Sequence, residues 1–410
     1  MTHTRTHHSG HRPTLIAAFL HFDLSFMLWV LLGALGIFIA EAAGLTPAEK
    51  GLVVAIPLLS GSLLRIPIGL MSDRFGGARV GAGMLAFLFV PLIVGWRAGD
   101  SLPVLLGIGL MLGTAGASFA VALPLASRWY PPERQGLVMG IAAAGNSGTV
   151  VTNLLAPHLA TTLGWHGVLG VAMAPLALVL VAFVLMARDA PRSTAPLPLA
   201  GYLRVLDGPD IWWFCVLYSV TFGGYVGLSS FLPILFRDQY QFTPVDAGYA
   251  TAIAAFAGSA LRPVGGWLAD RFGGTRVLTV TLLSVATVYA LAARLPAPPQ
   301  MIVLLIAGMS CLGMGNGAVF QLVPQRFSRE IGVATGVIGA VGGLGGFCLP
   351  MLLGTTMQAT GSFRAGFVVL ALAAATVLVL LQALVGRREG WRGSWRTMAP
   401  GAGEILGTHS

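Results

Sequence analysis

The chain has 410 residues, of which 56% are hydrophobic and only 10% are charged, and its formal net charge is +9. Soluble domains carry about a quarter charged residues, so this composition excludes an ordinary soluble globular domain. The mean hydropathy of +0.81 indicates a polytopic membrane protein.

Apolar runs of about twenty residues, the length needed to cross a bilayer, recur along the chain. Backbone groups in hydrocarbon must be paired within their own segment, so each run is expected to form a helix. The first run continues past Ala40 with no cleavage site behind a short apolar region, and we interpret it as a retained helix. The twelve expected spans are residues 14–40, 49–72, 78–97, 102–128, 134–162, 167–187, 211–237, 245–270, 275–294, 300–327, 330–358 and 364–386.

The basic residues are distributed unevenly between the two ends of these spans. With both termini placed in the cytoplasm, most of the 24 Lys and Arg residues fall in cytoplasmic segments. This asymmetry is expected of a multi-pass protein of the cytoplasmic (inner) membrane. The positive charge is therefore explained by topology and by contact with the anionic lipid bilayer, and we expect no nucleic-acid partner.

A polar, proline-containing stretch at residues 187–210 divides the spans six and six, and it predicts a linker. His3, His7, His8 and His11 offer metal ligands, but no apolar pattern surrounds them, so a disordered polar terminus is preferred and no metal site is expected. The expected organisation is a disordered tail (1–13), an N-terminal six-helix bundle (14–187), a cytoplasmic linker (188–210), a C-terminal six-helix bundle (211–387) and a cytoplasmic tail (388–410).

The two halves repeat each other in sequence. GSLLRIPIGLMSDRFGGARV at residues 61–80 aligns with GSALRPVGGWLADRFGGTRV at residues 258–277, a constant offset of 197 with 12 of 20 positions identical. Both segments join an even-numbered span to the next one across a cytoplasmic loop. The halves are therefore expected to have the same orientation, as in a parallel repeat about an axis along the membrane normal.

Each repeat contains the loop motif G-x-x-x-D-R-F-G-G-x-R. The motif places carboxylates and guanidinium groups near the cytoplasmic helix ends, at Asp73, Arg74, Arg79, Asp270, Arg271 and Arg276. It resembles the loop signature of the major facilitator superfamily, which implies ion pairs that hold one conformation and break when the transporter switches. The alternative is a basic loop that fixes topology and carries ordinary surface ion pairs.

Arg65 and Arg262 lie inside apolar spans at equivalent places in the two halves, each eight residues before the loop aspartate. This spacing corresponds to about 12 Å of helix, near mid-depth in the membrane. A cation there costs about 3 kcal/mol unless it faces a cavity or a partner. Either side chain alone could extend to the interface, but the duplication favours a shared anion, to which arginine donates two parallel hydrogen bonds.

The fifth and eleventh spans are rich in glycine, in GIAAAGNSGTVVTNLLAP and GVIGAVGGLGGFCLP. Small residues let helices approach closely, so tight packing is expected at Gly145, Gly148, Gly342 and Gly345. These positions are also where the halves could rearrange during gating. Asn146 supplies an amide in the same segment.

Together with FDLSFMLWVLLGALG in the first span, these features resemble the nitrate/nitrite porter family of the major facilitator superfamily, across residues 15–386. The resemblance implies an all-α membrane protein with twelve transmembrane helices in two six-helix bundles, related by a pseudo-two-fold axis along the membrane normal. It implies that two arginines bind nitrate or nitrite and that aromatic rings cover the ion. The implied substrate-binding residues are Arg65, Arg262, Phe119, Tyr218, Phe222, Phe320 and Asn146.

The resemblance implies a small inorganic anion as substrate, no cofactor and function as a monomer, moving nitrate or nitrite by alternating access. Two arginines repel each other in low dielectric, which favours exchange, since the loaded protein should switch more readily. Asp23 leaves proton-coupled uptake open as an alternative. A carboxylate porter and a non-transporting sensor built on a transporter scaffold also stay open. No catalytic triad, metal-ligand spacing or phosphate-binding loop is present, so we expect no enzymatic activity.

Overall fold

The computed structural model describes residues 10–97, 99–130, 138, 142, 144–191, 206–327, 331–388 and 391. Every regular element in these ranges is helical, as expected for apolar spans. His3, His7 and His8, most of the expected linker and nearly all of the expected C-terminal tail lie outside the described residues.

The helices of the first half follow the order of the expected spans. They are α1 (Arg12–Trp29), α2 (Leu31–Ala34), α3 (Gly36–Ala43), α4 (Pro47–Phe75), α5 (Gly77–Phe87), α6 (Phe89–Arg97), α7 (Leu102–Leu112), α8 (Phe119–Ser127) and α9 (Gly148–Met186). Two 3₁₀ segments accompany them, at Gly113–Ser118 and Ala144–Ser147. The second half contains α10 (Pro209–Tyr240), α11 (Pro244–Phe272), α12 (Gly274–Ala292), α13 (Pro298–Arg326), α14 (Ile331–Thr360) and α15 (Arg364–Arg387).

Several spans depart from the single continuous helices that the apolar runs predict. The first is interrupted at Val30 and Leu35, the third at Leu88, and the fourth by its 3₁₀ segment. The fifth and sixth spans are joined in α9, where Gly164 alone is non-helical, with φ 67°. A positive φ costs glycine little, so the chain reverses there without a longer loop.

Nine helices in the described part of the chain are long and apolar enough to cross a membrane. The twelve expected spans are recovered when the divided first span is included, α9 is counted as two, and α11 is added. α11 falls outside the nine, and it carries Arg262 and several hydroxyl side chains within its 29 residues.

The sequence repeat is also a structural repeat. α4 and α11 both have 29 residues, and their first residues are 197 positions apart. Each begins after a threonine N-cap, Thr46 or Thr243, whose hydroxyl accepts a hydrogen bond from the backbone of the third helical residue. Each ends at a glycine of positive φ, 97° at Gly76 and 95° at Gly273.

Apolar side chains cover much of the outer surface of the helices. Leu178, Leu185, Val303 and Val379 are each more than 60% exposed. Exposed apolar surface on this scale marks contact with a partner or a membrane. Together with the nine long apolar helices, it identifies a multi-pass membrane protein.

The two halves meet along α4 with α14 and along α9 with α11. We call the end with the repeated motif the loop end, and the end with Thr46 and Thr243 the capped end. Among the described residues, both ion pairs that cross between the halves lie at the capped end: Lys50–Asp238 at 2.7 Å and Arg237–Glu41 at 2.9 Å. In this conformation the halves are therefore held together at the capped end.

Candidate functional site

Arg65 lies in the part of α4 nearer the loop end, and its side chain is directed into the protein. The helix begins with a capping box in which Thr46 and Glu49 satisfy each other's backbone N–H groups. Arg65 itself is only 1% exposed. The Arg65 side chain therefore does not extend to the membrane interface.

Two backbone carbonyls accept hydrogen bonds from the guanidinium of Arg65. Its Nε donates to the Gly116 carbonyl at 3.0 Å, and its Nη1 donates to the Gly339 carbonyl. Gly116 belongs to the fourth span and Gly339 to the eleventh, so this one side chain bridges the two halves. Nη2 has no hydrogen-bond partner among the described residues. No carboxylate in the described ranges pairs with Arg65, so a buried charge retains an unused donor group.

Aromatic rings surround the same guanidinium. Its Cζ lies 5.4 Å from the ring centroid of Trp29, 5.4 Å from that of Phe119 and 5.1 Å from that of Phe222. These distances are within the range of cation–π attraction. The rings exclude water from the arginine and leave its edges for hydrogen bonding.

Arg262 occupies the equivalent position in the second half, on α11. It is half-buried, and its Cζ lies 5.8 Å from the ring centroid of Phe320. The two arginines border one group of rings, because Phe320 lies 6.0 Å from Phe119, the ring that faces Arg65.

The four aromatic residues expected at the site contact one another. The rings of Tyr218 and Phe222 are stacked, with centroids 4.9 Å apart and an interplanar angle of 2°. The Phe320 ring meets the Tyr218 ring edge-on, with centroids 5.0 Å apart. Its centroid lies 6.0 Å from that of the tilted Phe119 ring. Side chains from the fourth, seventh and tenth spans thus form one aromatic cluster beside the arginine pair.

Trp29 is a residue of this site that sequence reasoning missed. Its indole Nε1 donates a hydrogen bond to the Pro57 carbonyl at 2.7 Å, and its ring is within 6.4 Å of that of Phe222. The signal was available, because Phe22, Phe26 and Trp29 follow a helical spacing of four and three residues. The two carbonyl acceptors of Arg65 had no such signal.

The glycines expected to permit close packing do so. A Cβ at Gly342 would collide with the Tyr218 ring, and one at Gly345 would collide with the backbone of Ser219. Gly145 and Gly148 face the backbone of Asp23 with equally little room. The first pair brings the eleventh span against the seventh, and the second brings the fifth span against the first.

Asn146 is 3% exposed, and its Oδ1 has no hydrogen-bond partner among the described residues. The 3₁₀ segment that carries it packs against α1 and also contacts α11, the helix of Arg262. No hydrogen bond in the described part of the chain joins Asn146 to either arginine. Its role as a substrate ligand stays a prediction.

At the loop end, Asp73 forms an ion pair with Arg128 at 2.5 Å. Arg128 belongs to the fourth span, outside the repeated motif, so this pair lies within one half. In the second half, the Cζ of Arg271 lies 5.7 Å from the ring centroid of Trp267. A gating role for the motif residues stays a prediction, including for Arg74, Arg79, Asp270 and Arg276.

Asp23 is half-buried and lies against the fifth span. Its Oδ1 accepts a hydrogen bond from Ser147 Oγ at 2.6 Å. The neighbouring His21 is fully buried and contacts the Gly81 carbonyl at 3.3 Å through Nε2. In the described part of the chain, Asp23 is thus held by its own half and forms no ion pair with the arginines.

Residues 16–350 match the family model for the Major Facilitator Superfamily. A nitrite extrusion protein of Bacillus subtilis is 35% identical over 358 residues, covering 87% of this chain and 90% of the relative. A probable nitrate/nitrite transporter of Mycobacterium tuberculosis is 37% identical over 354 residues, covering 85% and 89%. A probable nitrate/nitrite antiporter of Thermus thermophilus is 34% identical over 407 residues, covering 88% and 91%.

Among solved structures, a bacterial homologue of the human lysosomal transporter Spinster, in an inward-facing and occupied conformation, has the same fold. The superposition covers 93% of this chain and 96% of the homologue, with a TM-score of 0.67 and 20% sequence identity. The chain therefore belongs to the major facilitator superfamily, in the group that includes these nitrate and nitrite porters, and it is a transporter and not an enzyme.

Proposed function

We propose that the protein moves nitrate and nitrite across the cytoplasmic membrane by alternating access, exchanging one anion for the other. The observation that carries the proposal is the environment of Arg65. This cation is buried, is covered by three aromatic rings, keeps an unused donor at Nη2 and has no carboxylate partner among the described residues.

A planar monovalent oxyanion suits this arrangement. A guanidinium edge can donate two parallel hydrogen bonds to a pair of oxygens. Arg65 offers Nη2 in this conformation, and Nη1 on the same edge becomes free when its bond to the Gly339 carbonyl is released. Arg65 reaches the anion from the first half and Arg262 from the second. The stacked rings of Tyr218 and Phe222 and the edge-on ring of Phe320 cover its faces. Weakly hydrated anions lose little solvation on entering such a site, so size and planarity determine selectivity.

Exchange follows from the electrostatics of the pair. Two like charges a few ångströms apart repel by a few kcal/mol at an effective dielectric of about 20. An anion between them replaces this repulsion with two attractions. The loaded protein therefore interconverts between its conformations more readily than the protein without anion, and inward movement of one anion is coupled to outward movement of another.

In this proposal the loop end faces the cytoplasm, as do both termini. The excess of Lys and Arg in the segments of that end supports this orientation. The capped end is then outermost, and the cross-half ion pairs there make this conformation closed to the outside. The protein functions as a monomer, since each chain contains both arginines.

The proposal is tested by nitrate binding to the purified protein and to its Arg65→Lys and Arg262→Lys variants. Lysine keeps the charge but cannot donate two parallel hydrogen bonds. Loss of one charge-assisted hydrogen bond costs about 1.5–3 kcal/mol, so each variant should bind nitrate about 10- to 100-fold more weakly. Arg97→Lys is the matched control, because Arg97 is exposed and stacks on Trp96 away from the site. Unchanged affinity in both site variants would contradict the proposal.

Transport in proteoliposomes separates exchange from proton coupling and from carboxylate transport. Nitrate uptake should require nitrite or nitrate inside and should not respond to a proton gradient imposed alone. Strong uptake driven by the gradient alone would replace exchange by proton coupling. Displacement of bound nitrate by formate or oxalate at equal concentration would indicate a carboxylate porter.

A further inference from the structure

A second group of polar side chains lies in the interface between the halves, beyond Arg262 toward the capped end. Its central residue is Tyr225 on α10, which is 1% exposed. Tyr218, Phe222 and Tyr225 are spaced by four and three residues and share one face of that helix. Tyr225 thus continues the aromatic cluster of the site toward the capped end by about 10 Å.

The hydroxyl of Tyr225 is held by α11. It lies 2.6 Å from Ser259 Oγ and 3.2 Å from the Ala255 carbonyl. The ring fits where Gly258 has no side chain, since a Cβ there would be 2.7 Å from Tyr225 Cε2. Ser259 comes one helical turn before Arg262, so the two side chains lie on the same face of α11.

The first half contributes Thr149 from α9. Its side chain is fully buried, and it lies one turn before Asn153, whose backbone packs against Gly248 of α11. Thr149 Oγ1 has no hydrogen bond of regular geometry among the described residues. A buried polar atom without a partner costs about 1–3 kcal/mol. A hydroxyl of this kind at the interface between the halves can donate to an anion when the halves separate.

We propose that Tyr225, Ser259 and Thr149 form a second, uncharged anion site on the outer side of Arg262. The anion occupies it in transit between the arginine pair and the outside, when the halves separate at the capped end. This inference rests on the proposed function. The ligand class is a small monovalent oxyanion, bound by hydroxyl groups.

An uncharged site solves a problem that the arginine pair creates. Two guanidinium groups hold an anion strongly, and release requires breaking both sets of charge-assisted hydrogen bonds at once. Transport through a strong site is faster when weaker sites follow it, because ligands are then exchanged in steps. Hydroxyl groups attract the anion less than guanidinium groups do, because hydrogen bonds from charged donors are about twice as strong as neutral ones.

The test compares nitrate/nitrite exchange rate with nitrate affinity in Tyr225→Phe and Thr149→Val. Both changes remove one hydroxyl and keep the shape of the side chain. A transit site affects the rate of exit and entry, so each variant should slow maximal exchange about fivefold, the effect of one neutral hydrogen bond. The equilibrium dissociation constant for nitrate should remain within about twofold of the parent value, because the arginine pair determines it. Thr149→Ser should restore the rate.

Tyr289→Phe is the matched control, since Tyr289 is a buried tyrosine of the same half whose hydroxyl has no partner in the described part of the chain. It should alter neither quantity. Weakened nitrate affinity in parallel with the rate would overturn the proposal, because Tyr225 would then only position Arg262. An unchanged exchange rate in both variants would overturn it as well. If the parent protein fails to bind nitrate at all, the proposed function fails instead.

A labelling experiment tests the same site independently of transport rates. With the three native cysteines replaced by alanine, Thr149→Cys should react with a membrane-impermeant anionic thiol reagent added from outside, and nitrate should slow that reaction. A cysteine at Ala42, which is exposed at the capped end, provides the comparison. Reaction at Thr149→Cys that nitrate does not slow would contradict anion binding there.

Discussion

The two ion pairs at the capped end predict how strongly this conformation is held closed. Lys50 Nζ lies 3.0 and 2.7 Å from the two carboxylate oxygens of Asp238, and the side chains are only 20% and 18% exposed. The Arg237–Glu41 pair is more exposed. Exposed pairs contribute about 0–1 kcal/mol, and breaking a fully buried pair costs about 3–5 kcal/mol. For Lys50–Asp238 we therefore expect about 1.5 kcal/mol, between these limits.

Asp238→Asn should consequently shift the equilibrium toward separation at the capped end by about tenfold, since about 1.4 kcal/mol corresponds to a factor of ten. The assay is a distance distribution between spin labels on cysteines introduced at Ala42 and Arg364. These exposed positions lie at the capped end, one in each half. The parent protein should give mainly the short distance, and Asp238→Asn should populate a longer one.

Two further variants determine whether the shift comes from this ion pair. Asp246→Asn removes another carboxylate at the same end, one that caps its own helix through Thr243, and it should leave the distances unchanged. The charge exchange of Lys50→Asp with Asp238→Lys should restore the short distance. The reasoning is refuted if Asp238→Asn leaves the distribution unaltered, or if the exchanged pair behaves like the single variant.

Three other predictions concern the site itself. Gly342→Ala introduces a Cβ against the Tyr218 ring, and overpacking of about 1–3 kcal/mol should slow anion exchange about tenfold or more. The control is Gly336→Ala, whose added Cβ would have no atom within 4 Å. At equal expression this control variant should exchange anions at the parent rate. Trp29→Phe removes the indole hydrogen bond to the second span and should lower stability by about 1 kcal/mol in thermal unfolding. Asp23→Asn keeps a side-chain oxygen that accepts the hydrogen bond from Ser147, so the rate of anion exchange should stay within about twofold of the parent rate. Loss of transport in this variant would indicate that Asp23 carries a proton during transport.

Much of the fold was predictable because the bilayer limits the possible structures. The apolar runs and the offset of 197 predicted the helices and the equivalence of α4 and α11. The interruptions at Val30 and Leu35 were not predictable from hydropathy. Next to them, Gly33 lies against the backbone of Ser230 in the other half, and such packing has no periodicity in a single sequence.

For the site, the sequence indicated the charges and most of the rings but not the surroundings of Arg65. A buried arginine repeated at one offset is conspicuous in an apolar sequence. The acceptors that hold Arg65 are backbone carbonyls of Gly116 and Gly339, and every residue has a carbonyl. Only the folded chain shows which two are used. The same is true of Thr149 and Tyr225, which come from different halves.

The bond between Arg65 and Gly339 connects the proposed exchange to the structure. It crosses the interface between the halves, so separating them at this level removes an acceptor from a buried cation. Without a replacement, that loss costs about 1.5–3 kcal/mol, the value for a hydrogen bond to a charged group. An oxyanion bound beside Nη2 can accept the hydrogen bond of Nη1 in place of the Gly339 carbonyl, so the loaded protein avoids this cost. Repulsion between the arginines and loss of this acceptor therefore act in the same direction, and both oppose the return of the protein without an anion.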